Sequence, residues 1–114
     1  MAKRVGIPAN QLKVLVWDAQ VQVVISSKLI NKADSKFFVA GECDMANKII
    51  TIHPKNGSIK NLLDTFVHEI LHTIFGDDET LVEVCTKKVM RSLTAFERLR
   101  LFFKLAQSLK KVDI

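Results

Sequence analysis

The stretch that most strongly constrains the fold runs from residue 58 to residue 76 and reads SIKNLLDTFVHEILHTIFG. Its apolar residues recur every three or four positions, which is the period of an amphipathic α-helix with one buried face. That face comprises Leu62, Leu63, Phe66, Val67, Ile70, Leu71 and Ile74. Ser58 suits the N-cap, and Gly76 suits the left-handed conformation that often follows a helix. The pattern therefore predicts one helix between these two residues.

The residues before this helix predict mainly β-strands. Runs that are rich in β-branched and aromatic residues and are bounded by turn residues favour strands. These runs are 12–17, 21–25, 37–41 and 48–53, with turn-compatible residues at 44–47. Residues 18–31 also fit a helical spacing, so a helix is an open alternative there.

The residues after this helix predict two more helices. Asp77 or Asp78 can cap the first of them, whose apolar positions are Val82, Cys85, Val89 and Leu93. The second begins near Thr94, and its spacing places Phe96, Leu99, Phe103 and Leu109 on the buried side. Strands followed by helices predict an α+β fold in one domain, 1–114, with residues 1–57 mainly strands and residues 58–114 helical.

Composition and length restrict the class of protein. The chain has 114 residues, 48% of them hydrophobic and 25% charged, which is typical of one globular domain. Its apolar runs are far shorter than the roughly 20 residues that cross a bilayer, and its first residues do not form a secretory signal. We therefore expect a cytoplasmic protein without a membrane span, in which Cys43 and Cys85 are reduced thiols.

Positive charge is concentrated in the C-terminal segment. The net charge is +5, and residues 86–114 hold eight basic and two acidic residues, whereas residues 1–85 are nearly balanced. The predicted basic helix at 94–111 has two interpretations: a solvated surface, or a contact for an anionic partner such as nucleic acid or an acidic protein.

The predicted helix at 58–76 contains the sequence His68-Glu69-Ile70-Leu71-His72, an H-E-x-x-H motif. Two histidines four positions apart project from the same helix face, where both imidazoles can bind one Zn²⁺ ion. Glu69 is placed to accept a proton from a water molecule that the metal activates. The motif indicates a zinc site with Glu69 as general base. The alternatives are a histidine pair without metal and a zinc ion that only stabilises the fold.

A catalytic zinc site of this kind needs a third protein ligand. The acids after Gly76 are the nearest candidates, and His53 is a more distant one; the acids are Asp78, Glu79 and Glu83. A tight turn at Gly76, with a rise of about 1.5 Å per helical residue, favours Glu83. His53 ends a predicted strand, where it either lines a substrate cleft or is an exposed loop residue.

Four segments, in this order and at these spacings, resemble the small phage and prophage HExxH zinc metallopeptidases. The segments are Gly41-Glu42-Cys43-Asp44, Lys48-Ile49-Ile50-Thr51-Ile52, the motif at 68–72, and Glu79-Thr80-Leu81-Val82-Glu83. The last segment is similar to the E-x-x-x-D arrangement of glutamate zincins (gluzincins). That similarity implies Glu79 as zinc ligand, with Glu83 hydrogen-bonded to a ligating histidine. The resemblance also implies a short antiparallel sheet over two zinc-bearing helices, and a bacterial or phage-infected host cell.

The expected function is therefore zinc-dependent hydrolysis of peptide bonds. The resemblance implies that an extended peptide pairs with an edge strand, here 48–53. The chain contains no tyrosine. The oxyanion must therefore be stabilised by another group, which is a histidine, a backbone N–H, a basic residue or the metal. The alternative is a phage-type regulatory protein with a structural zinc, whose basic C-terminal helix binds nucleic acid or an acidic protein.

Overall fold

The computed structural model describes residues 6–25, 41–53 and 58–109. Within them the chain forms an α+β fold, as predicted. The helices are α1 (Ala9–Asp18), α2 (Ile59–Phe75), α3 (Glu79–Ser92) and α4 (Ala95–Ser108), and the strands are β1 (Gln22–Ile25), β2 (Gly41–Asp44) and β3 (Ile49–Ile52). None of the described helices combines the length and the apolar character that crossing a bilayer requires.

The three described strands form a mixed sheet in the order β1-β3-β2. β1 runs parallel to β3, and β2 runs antiparallel to it. The antiparallel sheet expected from the resemblance is therefore wrong, and so is the expectation that 48–53 is an edge strand. The reason is burial: Ile50 and Ile52 are both fully buried, which suits a central strand. Of the predicted strand 37–41, residues 37–40 lie outside the described residues, and Gly41 begins β2.

The strand predicted at 12–17 is instead part of helix α1. Leu12 and Val16, four positions apart, are buried on one side of the helix, whereas Val14 and Leu15 are exposed. A short apolar run fits the spacing of either a strand or a helix, so packing decides between them. Here α1 packs against α2 and α3 through one buried face, which a helix provides.

Helices α2 and α3 supply most of the core, as their spacing predicts. On α2, the fully or nearly fully buried residues are Leu63, Phe66, Val67, Ile70 and Leu71. On α3 and just after it, Val82, Cys85, Val89 and Leu93 are buried. α2 lies between the sheet and α3, in contact with β2, β3 and α3. Its two ends are also as predicted: the Ser58 side chain accepts a hydrogen bond from Asn61 N, and Gly76 has φ 78°.

The buried side of α4 differs from the prediction. Leu101 and Leu105 face the core, whereas the residues predicted to be buried are exposed: Phe96, Leu99, Phe103 and Leu109. The apolar positions of α4 occupy more of its circumference than one packed face uses, so the sequence pattern does not determine the rotation of the helix. The helix also ends at Ser108 rather than 111, and Leu109 forms a bridge with Val23 of β1.

Two basic side chains stabilise helix C-termini from a distance in sequence. Lys13 Nζ donates to Ser92 O (2.8 Å), at the end of α3, and to Glu97 Oε1 (3.0 Å). Lys104 Nζ donates to the carbonyls of Trp17 (3.1 Å) and Ala19 (2.7 Å), at the end of α1. A cation at a helix C-terminus satisfies unpaired carbonyls and opposes the helix dipole. Part of the C-terminal charge excess therefore has a structural role.

Candidate metal centre

The turn at Gly76 brings the start of α3 against the last turn of α2. Gly76 N donates to His72 O (3.0 Å), and its positive φ reverses the chain direction without the strain that a Cβ would cause. Asp78 then caps α3, because its Oδ1 accepts a hydrogen bond from Leu81 N (3.1 Å). The next residue, Glu79, lies in the first turn of α3 and faces the histidines of α2.

His68, His72 and Glu79 form one compact group of potential metal ligands. Glu79 Oε1 lies 2.8 Å from His68 Nε2, and Glu79 Oε2 lies 2.9 Å from His72 Nε2. The two rings are 4.9 Å apart between centroids and meet edge to face. One carboxylate thus faces two imidazole nitrogens that project from the same side of α2. A donor set of two imidazoles and a carboxylate is one that Zn²⁺ binds.

The orientation of His72 is set by the turn itself. His72 Nδ1 lies 2.7 Å from the Gly76 carbonyl oxygen, to which it donates. In a neutral ring the other nitrogen, Nε2, then carries a lone pair. That lone pair points at Glu79 Oε2, which is also an acceptor, so a proton or a metal cation is needed between the two atoms. A hydrogen bond from the second ring nitrogen to a backbone carbonyl is a common support of zinc-bound histidines.

Glu69 belongs to the same turn of α2 but is almost completely buried, with 6% of its surface exposed. Burial raises the pKa of its carboxyl group from 4.5 to about 7, and the nearby carboxylates of Glu79 and Glu42 act in the same direction. His72 has the opposite effect and favours the charged form. A carboxyl group with a pKa near neutrality can both accept and return a proton at neutral pH.

Glycine at position 41 allows β2 to lie directly against α2 beside Glu69. A Cβ at this position would lie 2.6 Å from Thr65 Cγ2 and 3.2 Å from Glu69 Cγ. The first distance is far below van der Waals contact, so the strand or the helix would have to move. Gly41 therefore sets the spacing between the outer strand and the carboxyl group of Glu69.

We expect Gly41→Ala to lower the free energy of unfolding by about 1–3 kcal/mol, the usual cost of forcing an extra carbon into a packed contact. The measurement is urea denaturation followed by circular dichroism. Glu42→Ala is the matched control, because Glu42 is the exposed neighbour on the same strand and its change adds no atom to the contact. Equal stability of Gly41→Ala and wild type would show that α2 and β2 are not in close contact.

A small cavity of about 180 Å³ opens beside Glu69 and His72. Its other lining residues are Cys43 and Met45, from β2 and the turn after it, and Asp77. Burial raises the pKa of the Cys43 thiol to about 11, and the carboxylates of Glu69 and Asp44 add to that shift. Cys43 is therefore a neutral thiol at physiological pH.

The predicted site residues outside this group have different environments. Glu83 is exposed one turn further along α3 and does not belong to the group of three. His53 is buried directly after β3, so it is not an exposed loop residue, and it does not line the cavity. The cavity positions of Cys43, Met45 and Asp77, and the close approach at Gly41, were not predicted from the sequence. An isolated glycine at a strand position is a signal of close backbone approach, and it could have identified Gly41.

Two imidazoles, one facing carboxylate and a second, buried carboxylate thus meet beside a small cavity. The chemistry of this arrangement is inferred from its own residues, because no protein-family model, curated protein or solved structure matches the chain significantly.

Proposed function

We propose that this protein is a zinc-dependent peptidase in which His68, His72 and Glu79 hold the metal and Glu69 is the general base. The main support for the proposal is the position of Glu79. Its carboxylate oxygens lie 2.8 and 2.9 Å from the Nε2 atoms of the two histidines, beside the buried carboxyl group of Glu69. An isolated histidine pair on a surface helix would need neither the bridging acid nor the buried one.

The donor set is one that zinc can bind. With Nδ1 of His72 donating to Gly76 O, a neutral His72 directs a lone pair at Glu79, which a divalent cation between them turns into an attraction. The described group offers three protein ligands, whereas a structural zinc site normally has four. Three ligands leave a position open for substrate, which favours a catalytic role.

Zinc, when bound, supplies Lewis acidity that polarises a carbonyl group and lowers the pKa of water toward about 7. The rest of the chemistry belongs to Glu69. Its carboxylate accepts a proton from the attacking water molecule and passes it to the amine nitrogen of the leaving product. In the metal-free protein, burial raises the pKa of Glu69 to about 7, and a bound zinc ion would lower it and favour the carboxylate that acts as base.

Strand β2 is the best-placed element to bind the substrate backbone. It is an outer strand of the described sheet, and its first residue, Gly41, lies beside Glu69. An extended peptide that adds to such an edge gains main-chain hydrogen bonds along the strand. The cavity of about 180 Å³ beside Glu69 then accommodates one side chain of that peptide. β2 thus takes the substrate-binding role that was predicted for the strand at 48–53. That strand is β3, and both of its edges are already paired, with β1 and β2.

The proposal is tested by the metal content of the purified protein. We expect about one zinc ion per wild-type chain, and its loss in His72→Ala, because that change removes one ligand of three. Elemental analysis measures the zinc, and circular dichroism verifies that each variant is folded. His53→Gln is the matched control, because His53 is the remaining histidine of the chain and lies outside the group. A folded, active wild-type protein without zinc would refute the proposal.

A further inference from the structure

Helix α4 exposes a continuous apolar stripe. Phe96 is 77% exposed, Leu99 52% and Phe103 56%, and Phe102 beside them is 38% exposed. The first three residues are spaced three and four positions apart, so they align along one side of the helix. Single exposed apolar residues are ordinary on protein surfaces, but four large ones on one helix indicate a binding surface.

Two grooves flank this stripe, and Leu99 lines both of them. The first, of about 560 Å³, lies between α4 and the end of α1, and its apolar walls are Trp17, Phe96, Leu99 and Phe103. The second, of about 500 Å³, lies between α4, α2 and α3, and its apolar walls are Leu63, Met90, Ala95, Leu99 and Phe102. We refer to the stripe and its two grooves as the α4 face.

The charged residues of the α4 face are all basic. Arg100 and Lys104 line the first groove, Lys60 and Arg98 line the second, and neither groove is lined by an acidic residue. The one acid of α4, Glu97, lines neither groove. Its carboxylate accepts hydrogen bonds from Thr94 N (3.0 Å) and Lys13 Nζ (3.0 Å) instead. The face thus combines apolar walls with positive charge.

We propose that the α4 face is the docking site for an acidic amphipathic helix of a partner protein. Such a helix places its apolar residues in the grooves at i, i+3, i+4 and i+7 spacing. Its flanking glutamates and aspartates then meet Arg98 and Lys60, which gives charge complementarity and a fast approach. Exposed aromatic residues and arginine are also the side chains that contribute most to protein–protein affinity.

The same observations disfavour two other occupants. Nucleic acid binding relies on cations that reach phosphates, but Lys104 donates to two backbone carbonyls and Arg100 lies over the Trp17 ring, 4.7 Å from its centroid. A second copy of the chain would place this face against itself across a two-fold interface, so the basic side chains of one copy would oppose those of the other.

The experiment uses Trp17 as an internal reporter, since it is the single tryptophan of the chain and lines the first groove. The probe is a synthetic helical peptide with leucines at i, i+3, i+4 and i+7 and glutamates at its other positions. We expect a saturable change in Trp17 fluorescence and at least about tenfold weaker binding of the same peptide with lysines in place of glutamates. Added salt is expected to weaken binding of the glutamate peptide.

Two variants locate the binding to the α4 face. Leu99→Ser and Phe103→Ser are each expected to weaken peptide binding by at least about tenfold, the loss typical of a central interface residue. Both side chains are exposed, so circular dichroism should show an unchanged fold. Val14→Ser is the matched control, because Val14 is an exposed apolar residue of α1 that lines neither groove.

Three results would overturn the proposal. The first is the absence of a Trp17 response to the glutamate peptide at millimolar concentration. The second is binding of single-stranded oligothymidylate as tight as that of the peptide, which would identify a nucleic-acid surface. The third is a dimer in analytical ultracentrifugation that Leu99→Ser dissociates, which would identify the face as a contact between copies. None of these results depends on zinc binding or peptidase activity.

Discussion

Replacing Glu69 with glutamine is expected to lower peptide hydrolysis by about 10²–10⁴-fold, the usual contribution of a general base. Glutamine has the same shape as glutamate, so the packing around Gly41 and the adjacent histidines stays as it is. Its amide cannot accept the proton of the attacking water molecule, however. Because Glu69 is not one of the three grouped ligands, zinc content should be unchanged. The measurements are kcat/KM on a quenched fluorescent peptide library and elemental analysis of the same samples.

Glu42→Gln is the control for this variant, since Glu42 is an exposed carboxylate whose charge influences Glu69 but which does not line the cavity. It should retain most of the activity. Hydrolysis by Glu69→Gln at the wild-type rate would remove Glu69 from the mechanism. Loss of zinc in that variant would instead indicate that Glu69 is a ligand.

The raised pKa of Glu69 also predicts how the metal-free protein responds to pH. Because the pKa rises from 4.5 to about 7 on folding, the folded state binds this proton more tightly than the unfolded chain does. The stability contributed by the protonated carboxyl group is therefore lost as the pH rises from about 4.5 through about 7. Since Glu69→Gln cannot ionise, its stability relative to wild type should increase over that interval, which urea denaturation in the presence of a chelator measures.

Replacing Glu79 with alanine is expected to weaken zinc binding by at least about 100-fold, because even supporting residues around a zinc site contribute 10–100-fold. Glu79 is the carboxylate that faces both histidines, so its loss leaves two ligands of three. Zinc affinity is measured by competition with a chromophoric chelator. Circular dichroism verifies the fold, since an acid in the first turn of α3 also stabilises the helix by a few tenths to 1 kcal/mol, roughly.

Glu83→Ala is the matched control for the third ligand. Glu83 is on the same helix, carries the same charge and is exposed outside the group of three. We expect its zinc affinity to remain within a few-fold of wild type, roughly the range of a distant charge change. A large loss of affinity in Glu83→Ala and none in Glu79→Ala would assign the third ligand to Glu83, as the spacing argument favours.

Several of the basic residues that make the C-terminal segment positively charged have structural contacts in the folded protein. Lys88, Lys104 and Arg100 all contact other parts of the chain: Lys88 Nζ donates to Ile7 O, Lys104 Nζ to two carbonyls, and Arg100 stacks on Trp17. An anionic partner remains a prediction for this segment. Its most suitable test residue is Arg98, because charge reversal at Lys104 would also disturb the end of α1.

The strands were harder to predict than the helices. The run 12–17 contains a β-branched, apolar pattern, yet it forms α1 because Leu12 and Val16 meet α2 and α3 on one side. The run 48–53 was predicted as a strand, and it is one, but its place in the centre of the sheet depends on pairing with both β1 and β2. Pairing partners lie far away in sequence, and periodicity within one segment contains no information about them.

The sequence by itself determined helices α2 and α3, the cap at Ser58, an aspartate cap at residue 77 or 78, and the same-face placement of His68 and His72. These features depend on the period of the helix and on residues within one or two turns of each other. Only the tertiary structure decided that Glu79 rather than Glu83 faces those histidines, that β2 approaches Glu69 at Gly41, and that α4 turns Phe96 and Phe103 outward. Each of these depends on the angle and rotation at which separate elements meet, and that is set by the packing of the whole core.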